Sequence, residues 1–311
     1  MSNAKLRFFF REPTVDTNRP LTDGIVKVDG FDFEVVQTFK EADAWDCGFA
    51  ARMVAAAQHS DDVSIPAFPN RKFRLAYIYV NSKSDIRTPR DLEGKRVAVP
   101  MWANTAGVWA RGALQHYYGV DLKTIRWVVK DVADAPALPG MTFEPLNRGN
   151  VDDMLLSGEI DAAIDPNVLP SISRRDPRVR RLFSDYKSEE QKYFRETGVF
   201  PISHVVTLRR GFVDQYPNAP VALLQAFRKA RDVAIDNIEG ADPQVLVLSW
   251  ISAMLDEQRA LMGDHYFSYN VVDNTRPLEA MMQYAQEQGL TPNRVKFESL
   301  FSPEAARLAG V

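Results

Sequence analysis

The chain has 311 residues, 45% of them apolar and 25% charged, with a net charge of −3 from 38 basic and 41 acidic residues. That length suits two lobes or one large α/β unit, and such a composition can bury a core without disulfides or metals. The charge balance excludes a nucleic-acid surface, and no apolar run approaches the ~20 residues that span a bilayer, so neither nucleic acid nor membrane is expected as a partner.

A single cysteine, Cys47, cannot close an intramolecular disulfide and gives no sign of an oxidising compartment. The apolar run before Arg11 is shorter than the about 7–15 residues of a signal-peptide core, so the expected location is cytoplasmic. Arginines 174, 175, 178, 180 and 181 read as a solvated face. Homo-oligomerisation is left open.

Strands are predicted at 6–10, 31–36 and 74–80, the last ending in the turn signal Asn81-Ser82. Thr88 and Pro89 open a short helix that Gly94 closes, and 96–100 reads as a buried strand. Asn104 or Thr105 then caps a helix running to about Tyr118, with Gly119 in the stop position. Ala106, Ala110, Ala113, Leu114 and Tyr117 make one face of that helix. A strand at 124–129, a helix at 151–158 and a strand at 161–164 continue the alternation, which implies a parallel sheet.

After Pro201 the run 203–208 reads as a strand returning to the first lobe, and helices follow at 219–239, 243–255 and 277–288. The expected architecture is α/β, with a discontinuous lobe 1 of 1–90 plus 202–311 and a continuous lobe 2 of 91–201. Two strands cross between the lobes, and a cleft between them is the expected place for a small ligand.

Several familiar chemistries find no support. The four histidines, at 59, 116, 204 and 265, show no metal-binding spacing, so no metal is expected. Cys47 has no adjacent base, and the Gly107–Gly112 stretch is helix interior rather than a dinucleotide turn.

Longer segments carry a resemblance. Asp16-Thr17-Asn18-Arg19-Pro20-Leu21, the run from Pro66 to Arg74, Leu92–Val97 leading to Thr105–Gly112, Gly158–Ala162, Phe200–His204 and Glu287–Pro292 together resemble the 4,5-dihydroxyphthalate decarboxylases. The likeness spans most of the chain in order. It implies a two-lobed, type II periplasmic-binding-protein-like fold with two crossover strands and an interlobe cleft. The segments at Leu92 and Gly158 recur throughout type II solute-binding proteins. Arg71 with Arg74, Pro201 with His204, and the Asp16–Leu21 piece are closer to the decarboxylases. The chain departs from the group at Leu75, at Trp45-Asp46-Cys47-Gly48, at Asp165, and at Arg276, which is displaced from beside Asn274.

The resemblance implies a carboxy-lyase that needs no cofactor and takes a small aromatic carboxylate. A ring hydroxyl para to the departing carboxylate pushes electrons onto the carbon that bears it, and a general acid protonates that carbon. His204 is the expected proton-transfer group, because imidazole titrates near neutral pH; Asp46 would orient it or take the phenolic proton, with Asp165 as a substitute. Arg19, Arg71 and Arg74 would hold carboxylates through planar bidentate pairs. Asn104 and Thr105 open a helix whose first amides suit an anion, although capping alone would account for both. The alternative is a non-catalytic solute-binding protein that feeds small aromatic or carboxylate ligands to a transporter, and a cleavable leader would favour it. Another lyase on the same scaffold is a third reading, since fold does not decide function.

Overall fold

The computed structural model describes residues 4–146, 149–240 and 248–308. The chain forms two compact units: Met1–Arg71, Ile202–Leu278 and Lys296–Val311 make the first, and Lys72–Pro201 with Glu279–Val295 make the second.

The first unit is built on strands β1 (Ala4–Phe9), β2 (Phe31–Val35), β3 (Ala44–Gly48), β4 (Val63–Ile65) and β11 (His204–Leu208). Their order is β2-β1-β3-β11-β4, with β1 parallel to β2 and β3, and β11 antiparallel to β3 and β4. β1 shows why it is a strand: Leu6 and Phe8 are buried while Lys5 and Arg7 are exposed, the period-two signature of a half-covered sheet. Phe8 packs on Phe33 at 5.7 Å and on Phe227 of helix Ala219–Glu239 at 5.5 Å, fixing that helix to the sheet.

The second unit holds β5 (Ile78–Asn81), β6 (Arg96–Ala98), β7 (Arg126–Val129), β8 (Thr142–Pro145), β9 (Ala162–Ile164) and β10 (Val179–Arg181), in the order β10-β5-β9-β6-β7-β8. β6 is parallel to β9 and β7, and β7 to β8, whereas β5 runs antiparallel to β9 and β10. Helix Thr105–His116 is buried from Thr105 through Leu114. Gly112 is what lets it seat: a Cβ there would stand 2.1 Å from the Tyr284 ring.

The unit boundaries differ from those read in the sequence. Residues 72–90 belong to the second unit, because β5 hydrogen-bonds to β9 and β10. Residues 279–295 join it too, because Tyr284 packs on Trp109 and Gln288 bonds to Arg111. The chain therefore passes between units at 71–72, 201–202, 278–279 and 295–296 rather than twice.

Element predictions also shift. The strand expected at 74–80 starts only at Ile78, because Leu75–Tyr77 wind into a 3-10 turn. The Tyr77 amide closes that turn on the Arg74 carbonyl at 3.2 Å, and Glu190 accepts from the Ala76 amide at 2.9 Å. β3, β4, β8 and β10 were not anticipated; each is five residues or fewer, too short to show a period. The helix expected at 243–255 begins in residues 241–247, outside the described residues, and the helix described next is Ile251–Met262. Among the described residues, no helix is long and apolar enough to cross a membrane.

Candidate functional site

In the first unit, antiparallel pairing of β3 with β11 sets Val206 opposite Asp46 and His204 opposite Gly48. His204 and Asp46 are thus diagonal neighbours on adjacent strands. Their side chains meet, His204 Nδ1 to Asp46 Oδ2, at 2.7 Å. The Asp46 side chain is 1% exposed and that of His204 12%. A buried carboxylate needs its oxygens satisfied, and Asp46 has both occupied, because Oδ1 accepts from the Arg11 amide at 2.5 Å. With Asp46 accepting at both oxygens, Nδ1–H is assigned as the donor, which leaves Nε2 to meet a ligand.

Arg71 stands beside this pair. It bridges Ile202, and the carbonyl of the preceding Asn70 accepts from the Ser203 and His204 amides at 2.8 and 3.1 Å. Arg71 keeps partial exposure as a residue, yet burial around its guanidinium pulls its pKa down to about 9, leaving it a cation at neutral pH. Its guanidinium lies 5.9 Å from the Phe267 ring centroid. Arg19 opens the four-residue helix Arg19–Thr22 and is exposed, outside the hydrogen bonds of the histidine pair. Cys47, next to Asp46, retains some exposure as a residue, but burial pushes its thiol up to about 11, so it is a poor nucleophile near neutrality.

The second unit brings Asn104 and Asp165 around one hollow of about 150 Å³, whose lining includes Val99, Asn104, Gly107, Ile164, Asp165 and Asn167. It lies past the carboxyl ends of the parallel neighbours β6 and β9, where open α/β sheets bind ligands. Asn104 caps the Thr105–His116 helix: its Oδ1 accepts from the Ala106 amide at 2.9 Å and the Gly107 amide at 3.4 Å. Thr105, next along, is buried. Asp165 Oδ1 accepts from the Asn167 amide at 2.9 Å, and burial pushes its carboxyl pKa up. Arg74, also buried, donates from Nη1 to the Pro166 carbonyl at 3.4 Å, and burial lowers its pKa to about 10.

The sequence reading passed over Arg111, Gln288 and Trp102, which interlock through hydrogen bonds. The available signal was an arginine set between Ala110 and Gly112 in an otherwise uncharged helix interior. A second hollow, about 190 Å³ and lined by Arg231, Asp232, His265 and Asn270 among others, takes none of the expected residues. Among the described residues, no group of three or more His, Cys, Asp or Glu is arranged to hold a metal ion.

No family model matches the chain. It is 29% identical to a 4,5-dihydroxyphthalate decarboxylase of Comamonas testosteroni over 322 aligned residues, covering 96% of this chain and 97% of that one. It is 31% identical to a 4,5-dihydroxyphthalate decarboxylase of Pseudomonas putida over 199 residues, 57% of this chain and 77% of that one. Among solved structures, the periplasmic aliphatic sulphonate binding protein SsuA from Escherichia coli superposes with a TM-score of 0.59 at 15% identity, covering 96% and 98%. That likeness shows the fold, type II periplasmic-binding-protein-like, as expected.

Proposed function

The chain belongs to the 4,5-dihydroxyphthalate decarboxylase family, and on that premise we propose that it is itself a carboxy-lyase, converting 4,5-dihydroxyphthalate to 3,4-dihydroxybenzoate and carbon dioxide. The observation that carries the chemistry is the 2.7 Å pair of His204 and Asp46. Asp46 accepts from Nδ1 and holds the imidazole in place. His204 then delivers a proton from Nε2 to the ring carbon bearing the departing carboxylate.

The steps balance. The base, Asp46 or its substitute Asp165, takes the para hydroxyl proton, which raises electron density at the carbon bearing the departing carboxylate. That carbon takes the His204 proton. The carbon–carboxylate bond then breaks, its electron pair returns to the ring, and carbon dioxide leaves. The base returns its proton to the phenolate, giving 3,4-dihydroxybenzoate, and His204 regains from water the one proton that the net reaction consumes. Asp165 is the substitute for the base role. Arg19, Arg71, Arg74, Asn104 and Thr105 are proposed as groups that hold substrate carboxylates. The proposal includes a cytoplasmic location, which fractionation of cells expressing the native gene checks.

The test is incubation of purified, chelator-treated protein with dihydroxylated benzene dicarboxylates, following carbon dioxide and product by mass. One carbon dioxide per 3,4-dihydroxybenzoate is expected from the 4,5-isomer. Tight binding without carbon dioxide would replace this reading with the solute-binding one.

A further inference from the structure

Arg111 is the one ionisable residue within the buried stretch Thr105–Leu114, and it is 0% exposed. Nε donates to Gln288 Oε1 at 2.8 Å, Nη2 donates to the Trp102 carbonyl at 2.6 Å, and the guanidinium carbon sits 3.7 Å from the Trp102 ring centroid. All of these partners are neutral. Gln288 is itself held, donating to the Val108 carbonyl at 3.0 Å, so the guanidinium cannot readily swing. Nη1 has no hydrogen-bond partner, and no carboxylate among the described residues pairs with the group. Burial lowers its pKa to about 9, so it stays charged at neutral pH. A buried cation without a counter-charge is costly, and an arriving anion would relieve that cost.

Gly107 shows where such an anion could come from. A Cβ on Gly107 would stand 2.9 Å from Arg111 Nη1 and 3.2 Å from Val99 Cγ1. Gly107 and Val99 both line the 150 Å³ hollow. The unsatisfied amino group therefore lies against the hollow's wall, at the residue whose missing side chain leaves room for it. The helix N-terminus above it is partly used already, because Asn104 takes the Ala106 and Gly107 amides.

We infer that this hollow is a carboxylate subsite, with Arg111 Nη1 backing the wall at Gly107 and supplying the charge that the capped helix end alone does not. The ligand class, one carboxylate of an aromatic dicarboxylate, rests on the decarboxylase reading. Asp165 is the acid among the lining residues. Burial raises its carboxyl pKa, and the Asn167 amide that it accepts from opposes that shift.

The experiment uses phthalate, a dicarboxylate without the ring hydroxyls that activate decarboxylation, as a binding probe read by calorimetry. Arg111→Met removes the charge and keeps much of the volume. Its phthalate affinity is expected to fall about tenfold to hundredfold, as for lost hydrogen bonds to a charged group. Its melting temperature without ligand should equal or exceed the parent's, because an apolar side chain replaces an uncompensated charge. A purely structural arginine predicts the reverse, a lower melting temperature with affinity intact. Arg111→Lys should fall between parent and Arg111→Met, keeping the charge without the planar fork. Gly107→Ala, which sets a methyl against Nη1, should also weaken phthalate binding, and it decides the matter if Arg111→Met does not fold. Parent-like affinity in Arg111→Met, or in Gly107→Ala where that variant decides, overturns the subsite. So does a parent that fails to bind phthalate. Phthalate binding with no carbon dioxide released from 4,5-dihydroxyphthalate rejects the decarboxylase reading and leaves the subsite standing.

Discussion

The two units handle buried charge in opposite ways. In the first, the Asp46 carboxylate is completed from within the fold, by His204 Nδ1 across β3 and β11 and by the Arg11 amide. In the second, Arg111 has only neutral partners and one unused donor. An internally satisfied pair is suited to moving a proton, because its geometry is fixed before any ligand arrives. A charge lacking its counter-ion is suited to binding, because the ligand supplies what the fold withholds. The comparison teaches that a buried ionisable group is read by what completes it, not by burial alone.

The sharpest way to break this contrast is His204→Gln. The glutamine keeps a polar side chain and removes the titrating nitrogen. Positioned acid–base groups contribute about 10²–10⁴-fold in rate, so turnover should fall at least about a hundredfold with substrate affinity nearly kept. Steady-state rates beside calorimetric affinity check it. Full activity would move attention to Asp46 and Asp165; parallel losses of rate and affinity would recast His204 as a binding group.

The next effect concerns Arg71 in the first unit and Arg74 in the second. Arg71→Ala and Arg74→Ala should each weaken phthalate binding by about 1.5–3 kcal/mol if they contact carboxylates, the range for hydrogen bonds to charged groups. Thermal melts separate that loss from unfolding, which matters most for the buried Arg74. Unchanged affinity in both variants removes the clamp from the mechanism, whereas a loss confined to one assigns carboxylate recognition to that unit.

Much of this was legible in the sequence and some was not. Thr105–His116 could be read because an asparagine cap precedes evenly spaced alanines. β3 could not, since Ala44–Gly48 has a charged residue at its centre and only the neighbouring strands justify it. His204 and Asp46 were picked separately, but their contact depends on a register 158 residues apart, which no local pattern encodes. The unit boundaries failed for the same reason: 72–90 and 279–295 are assigned by pairing with distant elements. Arg111 sat inside a recognised segment and was passed over, because its meaning lies in Gly107, Trp102 and Gln288 arriving around it.

The smallest expected effect separates capping from binding at Asn104. Its Oδ1 accepts from two amides of the first turn, so Asn104→Ala should cost about 1 kcal/mol of stability, the usual value of an N-cap. That result alone would not distinguish a cap from a ligand contact, because a frayed helix end also spoils an anion site. Asn104→Asp makes the distinction. Aspartate caps as well as asparagine, and its negative charge is favourable at a helix N-terminus, so the ligand-free melting temperature should hold or rise slightly. The same charge lies on the wall of the hollow and repels an incoming carboxylate. Phthalate affinity should therefore fall while stability does not, and the loss should shrink at high salt, where exposed charges are screened. If Asn104→Asp binds phthalate like the parent, the hollow receives no anion. The uncompensated charge of Arg111 would then be a feature of packing, and the contrast between the two units would lose its functional meaning.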